Sequence, residues 1–366
     1  MTTPYDLAIV GGGIMGCGVA LRTTEGGMRV ILLEQAEIGS GASGVNAGTL
    51  SIQVKRVKLM PYALKGYALW KAMGDTVGFH CTGGFSLAFN EAEAEVLHSR
   101  MALKREAGAP VEMISVSKVA AMEPGLSRRV VAASWCPADG YANSSLTGAC
   151  YRGLLRAADI AFREFTRVEA IDRDESGFTL KTSQGTVSSR RLLLATGAWS
   201  RPVASMLGLN FPVEARVSTV SVTERGPRIV GSVIGHATGL LSLKQKPNGT
   251  VLIGGGWQGS GTPEEGRGRV LAESLLTNLR LAQFAVPELA NRRLVRSWTG
   301  FDAAVPDFMP LAGALPGISG GFVLACVRGG YTIGPYISRL MGDFILEREP
   351  EMPLFDPARF AVNEIA

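Results

Sequence analysis

Asp6-Leu7-Ala8-Ile9-Val10-Gly11-Gly12-Gly13-Ile14-Met15-Gly16 decides how this 366-residue chain is read. Its first five residues are a short run ending in apolar side chains, three glycines break it, and Ile14 to Thr23 then carries helical composition without a proline. That order spells strand, turn, helix. Met28-Arg29-Val30-Ile31-Leu32-Leu33 restores a buried-strand pattern that ends at Glu34, completing a βαβ unit and starting a parallel sheet. Glycines without side chains let the backbone approach a pyrophosphate, and a helix N-terminus offers unpaired N–H groups and positive potential. Glu34 can accept hydrogen bonds from an adenosine ribose, and its carboxylate repels a 2′-phosphate. The unit therefore expects an adenine dinucleotide other than NADP, and leaves NAD and FAD both open.

Hydrophobic residues make up 46% of the chain and charged ones 19%, enough to bury a sizeable core in two domains. Thirty-seven Lys plus Arg against 32 Asp plus Glu give a net charge of +5, which suits an anionic cofactor and carboxylate substrates. The basic residues occur only as short pairs such as Arg128-Arg129, Arg190-Arg191 and Arg292-Arg293, so no stripe follows a nucleic-acid backbone. Cys17, Cys81, Cys136, Cys150 and Cys326 are odd in number and never reach a CxxC spacing. Neither a disulfide framework nor a metal or iron–sulfur site in this chain is expected, and a reducing cytoplasm fits. No apolar run approaches the roughly 20 residues that span a bilayer, and no signal peptide is read at the start.

Further along, residues 39–48 (GSGASGVNAG) read as a loop pressed against something. Helices are expected over 91–107, 146–158, 264–284 and 334–347, the last with Pro335 in its first turn. Strands are expected over 84–89, within 160–171, at 178–182, 186–189, 214–223, 239–245, 250–254 and 321–326. Arg191-Leu192-Leu193-Leu194-Ala195-Thr196-Gly197 is a continuous apolar strand suited to the middle of a parallel sheet. The fold expected is α/β plus α+β. A Rossmann-like nucleotide domain (residues 1–80, 145–211 and 300–366) has a parallel central sheet; a substrate domain (81–144 and 212–299) has a mixed or antiparallel sheet flanked by helices.

Residues 11–16, Glu34, the 39–48 loop with Ser43, Asn46 and Gly48, the Leu194-Ala195-Thr196-Gly197-Ala198-Trp199 run and residues 328–335 together resemble the FAD-dependent D-amino-acid oxidase family. The likeness covers essentially the whole chain and looks nearest to the B subunits of bacterial opine oxidases (octopine and nopaline dehydrogenases), D-hydroxyproline dehydrogenase, the sarcosine oxidase β subunit and glycine oxidase. It implies FAD held by Gly11, Gly13, Ile14, Met15, Gly16, Glu34 and Gln35. Ser40, Ala42, Ser43, Asn46, Ala47, Gly48 and Thr49 would lie along the ribityl-pyrophosphate and isoalloxazine, and Val168 beside the adenine. Ala195, Thr196, Gly197, Trp199 and Gly300 would complete the site with Arg328, Gly329, Gly330, Tyr331, Thr332 and Ile333, whose helix end would face the flavin N1–C2 edge. Gly300 stands where some relatives carry a flavin-linking cysteine, and His80, His98 and His236 miss the histidyl position, so the flavin is expected to be non-covalent.

Many members of that family clamp the substrate carboxylate with an arginine inside G-x-R-P-x-T-P-D. Here the segment reads Gly300-Phe301-Asp302-Ala303-Ala304-Val305-Pro306-Asp307. A carboxylate cannot hold a carboxylate, so Asp302 is expected to face a cationic part of the substrate, with Arg328 or Arg56 taking the acid group and Tyr331 helping to position it. The resemblance then implies oxidation of a secondary-amine amino-acid derivative, an opine, to an imine that water hydrolyses. It further implies partner subunits carrying a second flavin (FMN) and an iron–sulfur cluster. The alternatives are a D-hydroxyproline or proline dehydrogenase, a sarcosine, glycine or D-amino-acid oxidase, and a flavin-holding electron-transfer subunit without substrate chemistry of its own.

Overall fold

A computed structural model describes residues 4–325 and 329–360 of the protein. The opening run forms the strand Tyr5–Val10, whose last four residues are buried. It pairs in parallel with Val30–Leu33 on one side and with Gly185–Leu194 on the other. Ala161–Arg163 extends the parallel sheet beyond Val30–Leu33, and Gly321–Ala325 pairs in parallel with Gly185–Leu194. Val168–Asp174, Gly177–Thr182 and Leu311–Ala314 add antiparallel strands at the margins. Leu192, Leu193 and Leu194 are fully buried, as both-face coverage of a central parallel strand requires. The 186–189 stretch, expected as a separate strand, is continuous with them in Gly185–Leu194.

Helices Ile14–Glu25 and Gly330–Ile345 pack on each other beside this sheet. Their close approach explains Gly18, where an added Cβ would stand 2.1 Å from Ser338 Oγ. The second helix begins four residues earlier than expected, so Pro335 lies inside it and not in its first turn. Gly329, at φ +93°, makes the cap that allows the early start.

By its contacts the chain divides into two compact units. One comprises Met1–Val45, Ser144–Arg216 and Phe301–Ala366, and the other Asn46–Asn143 and Val217–Gly300. The second contains an eight-stranded sheet in the order Leu294–Ala304, Glu214–Thr223, Val251–Gly254, Ser242–Gln245, Val233–His236, Gly84–Ala88, Ala132–Cys136, Glu112–Ile114. The chain crosses the division within the first two of these strands. Val233–His236 runs parallel to Gly84–Ala88, and the strands on either side of that pair are antiparallel to them, so the sheet is mixed. Phe85, Leu87, Ile234, Leu243, Val251 and Ile253 on one face meet Ala282 and Ala285 of the helix Ala272–Ala285 in a buried core. That helix is shorter than the 264–284 expected, because Pro263, Gly266 at φ +71° and Gly268 hold the preceding residues out of it. In this partition residues 46–80 group with the second unit. Buried hydrogen bonds from Ser51, Ile52 and Gln53 to Asp139 tie them there.

Candidate cofactor and substrate site

Gly11 leaves the first strand at φ +111°, a conformation that suits glycine, and donates its N–H to Leu33 O at 2.8 Å. A Cβ at Gly11 would stand 2.4 Å from Ala195 O, and one at Gly16 only 1.9 Å from Gly11 O. These two glycines therefore serve close backbone packing. Gly13 differs: the only atom near its Cβ position is Ser43 Oγ at 3.2 Å. It caps Ile14–Glu25 without a side-chain hydrogen bond, and no acidic residue sits in the first turn. Ser43 Oγ accepts from Ile14 N at 3.0 Å, which meets one of the free N–H groups of this helix end.

Glu34 closes the turn from the neighbouring strand end. Its Oε2 accepts from Gly12 N at 2.7 Å and its Oε1 from Ala36 N at 2.9 Å, and the Gln35 N–H also donates to it, which leaves acceptor capacity for a ribose hydroxyl. Burial pushes its carboxyl above the usual range, against the pull of these backbone donors. Gln35, Ser40 and Ala42 are exposed, and Val168 is buried at the start of its strand.

At the end of the central strand Ala195 donates its N–H to Val10 O at 2.8 Å, which sets Thr196 and Gly197 beside the glycine turn. Gly197 has φ +53° and open space at its Cβ position. Ser200 Oγ donates to Gly197 O at 2.7 Å, and the Trp199 ring meets Phe301 edge-on at 5.6 Å. The helix Gly330–Ile345 also starts with no side-chain cap and no acid in its first turn. Near that start Thr332 is fully buried and its hydroxyl has no hydrogen-bond partner among the described residues, with Ile333 buried next to it. Tyr331 bonds Thr147 through its hydroxyl at 2.9 Å, and burial raises its pKa. Asp302 is half-buried between the buried Phe301 and Ala303. Arg328, and with it Cys326, lies outside the described residues.

A family model for DAO, FAD dependent oxidoreductase, matches residues 6–344. The chain belongs to this family. It is 30% identical to the glycine oxidase of Geobacillus kaustophilus (strain HTA426), over 99% of this chain and 98% of that one. To the opine oxidase B subunit of Rhizobium meliloti it is 27% identical, over 98% of each. The solved glycine oxidase from Geobacillus kaustophilus superposes with a TM-score of 0.88 over the whole of both chains at 27% identity. The L-proline dehydrogenase from P. horikoshii shares the fold, with a TM-score of 0.89 over 99% of both chains at 22% identity.

The residues present fit the FAD that this family uses. Two helix N-termini, each with a glycine at the cap and no acid in the first turn, leave positive potential for an anion. The Thr332 hydroxyl, without a partner among the described residues, is a buried donor near the second of them, and a buried hydroxyl calls for a partner.

In the second unit the 39–48 loop runs on into an Asx turn, in which Asn46 Oδ1 accepts from Gly48 N at 2.6 Å and Gly48 adopts φ +73°. Ala47 and Thr49 are half-buried, and Gly300 is half-buried at the division itself. Arg56 is exposed. Sequence reasoning overlooked two groups in this unit. Lys244 is fully buried and its Nζ donates to Thr49 Oγ1; Asp139 is fully buried among the donors of residues 51–53. No group of three or more His, Cys, Asp or Glu among the described residues is arranged to hold a metal. No helix among them is long and apolar enough to cross a membrane.

Proposed function

We propose that the first unit holds FAD non-covalently and that the protein oxidises the C–N bond of a secondary-amine amino-acid derivative, an opine of the octopine or nopaline type. The observation that carries this reading is the whole-length likeness to the opine oxidase B subunit, and Asp302 in the family's arginine position turns it away from simple glycine oxidation. In this reading Gly13, Ile14 and Met15 face the pyrophosphate, with Gly11 and Gly16 shaping the turn, Glu34 faces the ribose, and Gly329, Gly330 and Thr332 face the flavin edge on which negative charge develops. When bound, FAD supplies the acceptor for the hydride that leaves the carbon bearing nitrogen. Asp302 holds the cationic part of the substrate, its secondary amine or a guanidinium, and so orients the reacting C–H. Arg328 remains a candidate for one carboxylate. The imine product is hydrolysed by water to an amino acid and a 2-keto acid. By the same likeness the chain works in the cytoplasm as the catalytic member of a heteromer whose partners carry FMN and an iron–sulfur cluster.

Anaerobic mixing of the purified protein with octopine, nopaline, D-hydroxyproline, sarcosine and glycine tests the reading. The two opines are expected to bleach the flavin fastest, and Asp302→Ala to weaken their apparent affinity by about 10- to 100-fold, the worth of one charge-assisted hydrogen bond. Bleaching by glycine or sarcosine alone would move the protein to the single-chain oxidases, bleaching by D-hydroxyproline alone to the D-hydroxyproline dehydrogenases, and bleaching by none would make it an electron-transfer component. Acid precipitation is expected to leave a white pellet and a yellow supernatant; a yellow pellet would show a covalent flavin.

A further inference from the structure

We propose that Lys244 is the cation that anchors a substrate carboxylate in this protein. The inference rests on the amine-oxidation reading above and adds the group that replaces the family's arginine. Lys244 lies on Ser242–Gln245, an inner strand of the second unit's sheet, and is fully buried. Its Nζ donates to Thr49 Oγ1, which also shares a 2.7 Å hydrogen bond with Ser242 Oγ. Among the described residues no carboxylate pairs with it. A buried ammonium without a counter-ion is costly, and the cost is relieved when a ligand brings the missing negative charge.

The residues around it on this face are small, and Ser242 and Thr49 beside it are only half-buried. Ser242, two residues from Lys244 and therefore on the same face, pairs with Gly235 on one neighbouring strand and Gly254 on the other. A Cβ added at Gly235 would meet only the Phe85 and Leu241 carbonyl oxygens, at 3.5 and 3.7 Å. One added at Gly254 would have nothing nearer than the Val220 and Ala47 methyl groups, at 3.7 and 3.8 Å, and Thr219 O at 3.8 Å. Three adjacent strands thus present glycine, serine, glycine, small residues over which Ala47 and Thr49 pack beside Lys244. Thr49 follows directly on the Asn46-Ala47-Gly48 turn assigned to the flavin. An opine carries two carboxylates, so a second cation, Arg328 in the reading above, can take the other.

Burial lowers the Lys244 pKa to about 7, helped by the like charge of Lys246. The other titratable groups facing it are few. Tyr141, whose ring lies under Lys246 Nζ at 5.3 Å, is held protonated by burial, whereas His236 on the adjoining strand lies on the opposite face, 3.6 Å from Glu93. Leu252, opposite Lys244, is apolar.

The test titrates the holoenzyme with N-acetylglycine, a carboxylate that cannot be oxidised as an amine, by calorimetry, against N-acetylglycinamide as the uncharged control. Wild type is expected to bind the acid in preference to the amide, with a dissociation constant flat below pH 7 and rising about tenfold per pH unit above it as Lys244 loses its proton. Lys244→Met is expected to weaken binding of the acid about 100-fold at pH 6, leave the amide unaffected and raise the thermal midpoint of the ligand-free protein, because an uncompensated buried charge is gone. Lys244→Arg should restore binding without the pH slope. Unchanged affinity in Lys244→Met, or a lowered midpoint with affinity lost for acid and amide alike, would overturn the proposal. Flavin bleaching by amines is scored on the same samples. Acid binding without bleaching by any amine faults the reaction reading and leaves the anchor standing.

Discussion

Gly13→Ala is expected to give a folded protein that has lost its flavin, and Gly16→Ala a protein that loses flavin and stability together. At Gly13 the added methyl meets only Ser43 Oγ, at 3.2 Å, and the residue's φ of −73° suits alanine. The folded state therefore loses at most the few tenths of a kcal/mol to about 1 that separate glycine from alanine at a helix cap. The same methyl stands where a pyrophosphate must touch the backbone, so FAD affinity should fall about 100-fold, roughly 2.7 kcal/mol. At Gly16 the methyl would lie 1.9 Å from Gly11 O and 3.3 Å from Ile9 Cγ2. Helix and turn must separate, an overpacking that costs about 1–3 kcal/mol before any cofactor is considered. Reconstitution of the apoprotein, followed by quenching of FAD fluorescence, and thermal melts without FAD separate the two effects. Wild-type affinity in Gly13→Ala would show that the turn does not cradle the pyrophosphate.

That contrast marks how far the sequence was legible. Periodicity and punctuation located the Tyr5–Val10 strand, its glycine turn and the parallel partner that ends at Glu34, because a buried parallel strand announces itself as an unbroken apolar run. The same logic found Gly185–Leu194 at the sheet centre. It could not tell which glycines serve packing and which serve a ligand, since GxGxxG is one string and the distinction lies in what stands 2–3 Å from each missing Cβ. Lys244 escaped for a related reason. Leu241-Ser242-Leu243-Lys244 alternates like a strand with one wet face, and only the pairing of Lys244 and Ser242 with Thr49, nearly two hundred residues away, shows that this face is covered. Asp139 sits in a Pro137-Ala138-Asp139-Gly140 turn, where aspartate is ordinarily a surface residue, and its burial depends on residues 51–53 folding over it.

Asp139→Ala is accordingly expected to produce the largest stability loss of any single change in the second unit. Asp139 Oδ1 accepts from Ile52 N at 2.6 Å, and Oδ2 from Ser51 Oγ at 2.5 Å and Gln53 Nε2 at 2.8 Å. Gln53 in turn accepts from Ser134 Oγ at 2.7 Å and, through its carbonyl, from the buried Lys104. Removing the carboxylate leaves several buried donors without an acceptor, each worth about 1–3 kcal/mol, so a loss of roughly 3–5 kcal/mol and about 10 °C in thermal midpoint follows. Asp139→Asn should recover only part of it, because these neighbours all donate and the amide turns one more donor toward them. The carboxyl is already held above its usual range by burial, so the site tolerates its protonated form better than a surface carboxylate would. A midpoint within about 2 °C of wild type in Asp139→Ala would mean that water replaces the carboxylate and that the network is not what holds residues 51–53. If the loss is as large as expected, the consequence reaches the site: residues 46–49 continue directly into this anchored segment, so FAD occupancy should drop in Asp139→Ala at temperatures well below its midpoint. Lys244→Met, in the same unit yet outside the network, should keep its flavin.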